Sequence, residues 1–174
     1  MKKIFSTFVA LLAAANMMAQ GWPSDYGGVI LQGFYWDSYT QSAWKKLESR
    51  AFDFKGYFDL VWVPQSGKTL GETSMGYDPY YYFNQNSSFG TADELKSMIS
   101  TFKANHIGTI ADVVINHHNT NGWWTFPAET YKGTTYQFQT TDIVANDDQY
   151  KTAAQAKKDG VTLSSNNDEG EDWV

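Results

Sequence analysis

The chain of 174 residues contains no cysteine. If it is exported, no disulfide holds it, and its stability rests on a packed core with or without a metal. Long apolar runs are also missing, apart from one at the N-terminus, Ile4 to Ala15. That run follows Lys2 and Lys3 and precedes a small residue, Ala19, before Gln20. This is the layout of a secretory signal peptide, too short for an ordinary transmembrane helix. The expectation is that residues 1–19 are removed and that the mature chain is soluble, without a membrane span. It would be secreted or periplasmic, with cell-surface attachment left open. Basic charge is scarce: without Lys2 and Lys3, 11 basic residues face 19 acidic ones, a net charge of −8. Such a balance argues against a nucleic-acid partner, whose phosphates are neutralised by Lys and Arg, and is compatible with a cation site. No internal repeat, nucleotide-binding loop or linker is visible.

Hydrophobic residues make up 42% of the chain, as in a globular protein. Aromatics reach 17%, with seven Trp and eleven Tyr. Flat rings serve cores and also sugar faces, and composition alone does not choose between them.

The pattern along the chain alternates strand and helix. Gly27 to Phe34 reads as a short strand. A helix is expected from Ser42, with Trp44, Leu47, Ala51 and Phe54 on one face and Gly56 as its stop. Phe58 to Val63 is the next strand, ended by Pro64, which lacks a ladder donor. Thr91-Ala92-Asp93-Glu94 is a capping box opening a second helix whose apolar stripe is Leu95, Met98, Ile99 and Phe102. Asn105 is the expected left-handed residue at its end. The run Ile107 to Ile115 then predicts a strand buried on both faces, with Asp112 in its interior and Asn116, His117 and His118 at its exit. A carboxylate so placed must be hydrogen-bonded or paired.

Strand, helix and strand with a short return make βαβ units, so the strands should be parallel. Helix-to-strand returns are short. The connections after the strands are long, from Pro64 to Gly90 and beyond Asn116. Long connections on that side mark a site at the C-terminal ends of parallel strands. Beyond Asn119, Trp123, Trp124, Tyr131, Tyr136 and Phe138 sit among Gly, Thr and Asn with no helical period; only Lys151 to Lys158 suggests a turn or two of helix.

Asp112-Val113-Val114-Ile115-Asn116-His117 resembles the first sequence signature of the α-amylase family of glycoside hydrolases. Leu31 to Ser38, Val61-Trp62-Val63-Pro64, Gly76-Tyr77-Asp78-Pro79-Tyr80 and Phe89-Gly90-Thr91 through Leu95 are similar to that family's other early segments, in order. The resemblance implies the N-terminal portion, about three βα units, of a (β/α)8 TIM barrel. Residues 20–116 would hold the first three strands and their helices. Residues 117–174 would be part of the domain inserted after strand 3.

In that family a retaining hydrolysis of α-1,4-glucosidic bonds uses carboxylates from later strands, whose signatures do not occur here. The chain is therefore expected to bind α-glucan (starch or maltooligosaccharides) without cleaving it alone. The resemblance makes His117 a hydrogen-bonding partner of the sugar at the scissile bond, Tyr77 the ring beneath it and Trp36 a ring beside it. It makes Asn116 a calcium ligand, with Asp147 and Asp148 as companions and Asp142 or Asp168 as substitutes. Calcium takes six to eight oxygens, so the set is incomplete. Two other readings are a noncatalytic α-glucan-binding protein and a zinc hydrolase using His117, His118 and His106. The second needs three converging ligands, and adjacent His117 and His118 should point apart.

Overall fold

A computed structural model describes residues 26–146 and 150–166. The expected signal segment, together with Asp147, Asp148 and Asp168, lies outside the described residues. The chain forms an α/β fold on a parallel sheet. Strands β1 (Ile30–Gln32), β2 (Leu60–Val63) and β3 (Gly108–Ala111) lie in the order β1-β2-β3. Both pairings are parallel, with Ile30 opposite Leu60 and Leu60 opposite Gly108. This is the pairing that the two βαβ crossovers demand.

The first crossover carries α1 (Trp44–Ser49) and α2 (Ala51–Phe54). One continuous helix was the expectation. Arg50, at φ −93° and ψ 0°, opens the turn between them and splits it in two. The apolar face nevertheless stays in phase, with Trp44, Leu47 and Ala51 buried. The second crossover is α3 (Ala92–Ala104), whose capping box is complete: Thr91 Oγ1 accepts from the Glu94 amide, and Glu94 accepts from the Thr91 amide. Met98 and Phe102 are fully buried against α1, while Ile99 is 40% exposed and flanks the contact instead of joining it. The residue in left-handed conformation after α3 is His106, at φ 62°; Asn105 remains right-handed.

The core lies where these helices meet the sheet. Trp44, Leu47, Met98 and Phe102 pack with Val61, Val63, Phe34, Phe89 and Ile107 in one cluster. Trp44 and Phe89 approach at 5.1 Å between ring centroids. Burying several such large side chains, each contributing about 1.5–3 kcal/mol, supplies the main favourable term for this layer.

The third strand corrects the sequence reading. It ends at Ala111, so Asp112 follows the strand and is not inside it. Val113 and Ile115 are 67% and 79% exposed, not buried. β3 is an edge among the described residues, and in the apolar run past Ala111 only Val114 is even half-buried. Asn116 and His117 consequently lie on loop, where the side-to-side alternation of a strand does not govern their direction.

After β3 the chain makes an antiparallel hairpin, β4 (Glu129–Tyr131) with β5 (Thr134–Tyr136). Lys132 (φ 50°) and Gly133 (φ 81°) both take positive φ in its turn, as a two-residue turn matching strand twist requires. A short 3₁₀ turn (Thr140–Asp142) and α4 (Lys151–Asp159) follow. No described helix is long and apolar enough to cross a membrane.

Candidate functional site

Three loops meet at the C-terminal ends of the parallel strands. The loop after β1 carries Trp36, which is 71% exposed. Its turn is anchored from below by buried serines. The Tyr35 amide donates to Ser38 Oγ (3.0 Å), the Ser38 amide donates to the Tyr35 carbonyl (3.1 Å), and Ser38 Oγ bonds Ser42 Oγ at 2.8 Å. Asp37 is left-handed at φ 62°, a conformation that Asp tolerates better than most residues. A large apolar ring is thus held in water by a rigid, hydrogen-bonded base.

Tyr77 comes from the long loop after β2. Gly76, at φ 92°, lets the backbone pass close to Gln65; a Cβ there would lie 2.7 Å from the Gln65 carbonyl oxygen. Ser74 Oγ accepts from the Gly76 amide (3.0 Å) and donates to Asp78. The Tyr77 ring lies nearly parallel to Trp36, 12° between planes and 6.2 Å between centroids. The spacing is that of an offset stack.

The loop after β3 completes the group. The Tyr77 hydroxyl donates to Asp112 Oδ2 at 3.1 Å, which supplies the partner that a half-buried carboxylate needs. His117 Nε2 lies 2.7 Å from the Tyr77 carbonyl oxygen; a carbonyl only accepts, so Nε2 carries the proton. The Tyr82 hydroxyl donates to the His117 carbonyl at 3.0 Å, and the Asn119 amide donates to the Pro79 carbonyl at 2.7 Å. Burial, more than the nearby Asp112 charge and its hydrogen bond, raises the Tyr77 phenol above its ordinary value.

Trp36, Tyr77 and His117 therefore form one cluster. Asn116 lies outside this group of rings, exposed, on the wall of an adjoining cavity of about 480 Å³ that Asp142 also lines. His117, His118, Tyr82, Trp123, Trp124 and Phe138 line it too. His118 turns into an aromatic nest, with Tyr82 at 5.2 Å, Phe138 at 5.1 Å, and Tyr80 and Phe126 each at 6.0 Å. Burial there holds its imidazole below the ordinary value. Among the described residues no three His, Cys, Asp or Glu side chains converge to hold a metal. His106 sits before β3, at the opposite end of the strand from His117 and His118, so the zinc reading lacks its third ligand.

Chemically, the cluster offers two flat rings, an imidazole and a carboxylate held by a phenol. That combination suits a hydroxylated ring with one apolar face. The family model described as alpha amylase, catalytic domain, matches residues 60–165. The chain belongs to this family. An α-amylase relative from Arabidopsis thaliana, "Probable alpha-amylase 2", is 33% identical over 90 residues, covering 51% of this chain and 21% of its own length. "Alpha-amylase 3, chloroplastic" from the same plant is 32% identical over 103 residues, covering 55% of this chain and 11% of its own. "Alpha-amylase" from Bacillus licheniformis is 25% identical over 130 residues, covering 67% and 25% respectively. The chain thus spans a quarter or less of the α-amylase relatives it matches.

Sequence reasoning missed two features beside this cluster. The first is the hairpin, although Thr130-Tyr131-Lys132-Gly133-Thr134-Thr135-Tyr136 carries its signal: strand-forming residues around a two-residue turn ending in Gly. The second is Glu129, whose carboxylate accepts from three successive amides, Tyr82 (2.7 Å), Phe83 (3.0 Å) and Asn84 (3.2 Å). No local pattern signals a contact across more than forty residues.

The Tyr77–Asp112 bond yields a prediction with a definite sign. A phenol whose pKa is raised on folding contributes stability that is present below the ordinary value of 10.0 and lost as pH rises through the folded value. As pH rises above 10.0, melting temperature should therefore fall more steeply in the wild type than in Tyr77→Phe. At pH 7 the same variant leaves Asp112 without its donor and should cost about 1 kcal/mol. Parallel pH curves for the two proteins would contradict the assignment.

Proposed function

We propose that this chain contributes the glucan-holding wall of an α-amylase-type glycoside hydrolase. In this reading residues 20–116 are the first three βα units of a (β/α)8 barrel, and residues 117–174 belong to a domain inserted after the third strand. The observation that carries the reading is the convergence of Trp36, Tyr77 and His117 from three separate loops. The rings take the apolar face of a glucose unit, and the imidazole meets a hydroxyl at its edge.

Retaining hydrolysis of an α-1,4 bond requires a nucleophile and an acid carboxyl about 5 Å apart. Asp112 does not fit either role, since its Oδ2 is engaged by Tyr77. In the proposed mechanism the chain binds and orients the glucan, and carboxylates on other barrel strands cleave it. The 174-residue chain alone then releases no reducing sugar from starch, whereas the full-length gene product does. Binding without hydrolysis by the full-length product would favour the alternative, a noncatalytic α-glucan-binding protein.

The site is tested by substitution. Interactions that tighten as the sugar flattens lower the barrier and not merely the Michaelis constant. In the full-length product, Tyr77→Ala and His117→Ala should each lower kcat/KM for starch by about tenfold or more, roughly 1.4 kcal/mol. Wild-type kcat/KM in both variants, with circular dichroism showing an intact fold, would remove these residues from the site.

Calcium is the proposed cofactor. Asn116 and Asp142 both line this cavity, and amide and carboxylate oxygens are the hard donors that calcium prefers. One Asp142 oxygen accepts from the Gln139 amide at 2.8 Å. Asp147 and Asp148 remain candidate companions. Bound there, calcium would tie the strand-end loop to the inserted segment. Calcium at a hundredfold excess over its dissociation constant should stabilise the full-length product by about 2.7 kcal/mol, and Asn116→Ala should abolish most of that gain. A melting temperature indifferent to chelator in the wild type would rule the site out.

A further inference from the structure

Glu129 forms no ion pair among the described residues, although its charge acts on the half-buried His118. Its carboxylate is held instead by the consecutive amides of Tyr82, Phe83 and Asn84, at 2.7, 3.0 and 3.2 Å. Charge-assisted bonds of this kind are about twice as strong as neutral ones. The middle residue of the three is also gripped from the side. Phe83 stacks on Tyr131 at 4.8 Å and 10° between planes, and its centroid lies 5.3 Å from that of Tyr136. The hairpin is thus clamped onto the loop after β2 through both backbone and rings.

What it clamps leads straight to the candidate site. Tyr82, the first residue held, donates its hydroxyl to the His117 carbonyl at 3.0 Å. The His117 imidazole in turn donates to the carbonyl of Tyr77 at 2.7 Å, on the same loop that Glu129 holds. The contacts form a closed circuit: hairpin to loop, loop to His117, His117 back to loop. We propose that Glu129 is a positioning residue, which sets the orientation of the His117 imidazole through Tyr82. It touches no part of the cluster itself. The effect on catalysis rests on the α-glucan reading above, but the effect on His117 does not.

Gln at position 129 keeps one acceptor oxygen and puts an NH₂ where the other stood, so at least one of the three amides loses its acceptor. Tyr82→Phe removes only the hydroxyl that reaches His117. The ligand-free readout is the pair of ring ¹⁵N shifts of His117, which report its tautomer and hydrogen bond. In the full-length gene product, Glu129→Gln and Tyr82→Phe should both shift these signals away from a single Nε2–H form. Starch hydrolysis supplies the second readout. Each variant should lower kcat/KM by about fivefold to tenfold, and the double variant should fall no further than the worse single one, because both cut one circuit. Thr135→Val, which breaks the Thr130–Thr135 side-chain bond (3.0 Å) elsewhere on the hairpin, should leave kcat/KM and the His117 signals unchanged. Unaltered His117 shifts in Glu129→Gln would overturn the proposal, whatever the activity. So would additive losses in the double variant. If the wild type does not hydrolyse starch, the hydrolase reading fails, and the His117 shifts still decide the role of Glu129.

Discussion

Two long loops become one surface where the His117 imidazole donates to the Tyr77 carbonyl, 2.7 Å away. Most of what surrounds the candidate site depends on that junction. A loop of more than twenty residues loses much conformational entropy when it is fixed, and its internal bonds, such as those from Tyr80 and Tyr81 to the Lys68 carbonyl and from the Gly76 amide to Ser74 Oγ, tie it only to itself. The partners that orient it lie on the segment after β3: Asp112 beneath the Tyr77 hydroxyl, His117 at its carbonyl, Asn119 at Pro79 and Glu129 beneath Tyr82 to Asn84. The parallel sheet makes this possible, because parallel strands deliver their exits to the same end of the molecule.

The framework was readable because its signals are local. A period of three to four residues marks α1 to α3, the capping box marks the start of α3, and Pro64 marks the end of β2. Helix-to-strand returns of five and three residues (55–59 and 105–107) bring each strand back parallel to the one before it, as observed. The grouping of Trp36, Tyr77 and His117 came from motif resemblance, and the structure brings the three together in space.

The failures share a physical cause. Val113, Val114 and Ile115 have strong strand propensity, but propensity needs a partner strand, and pairing with β2 stops at Ala111 opposite Val63. Pro64 ends β2 there, so β3 ends with it. Ile99 has the right spacing for burial and lies to one side of the α1 contact. His106 takes the left-handed position in place of Asn105 because the helix runs one residue further before its reversal. Glu129 is a contact across the chain, visible only once the hairpin is folded against the loop.

Trp36, Tyr77 and His117 are proposed to act together as a site for a sugar ring. A crystal structure of the full-length gene product soaked with maltotriose tests it most directly. A glucose unit should pack against the Trp36 and Tyr77 rings, with a hydroxyl within hydrogen-bonding distance of His117. An oligosaccharide bound with these three residues dry and unchanged would contradict it.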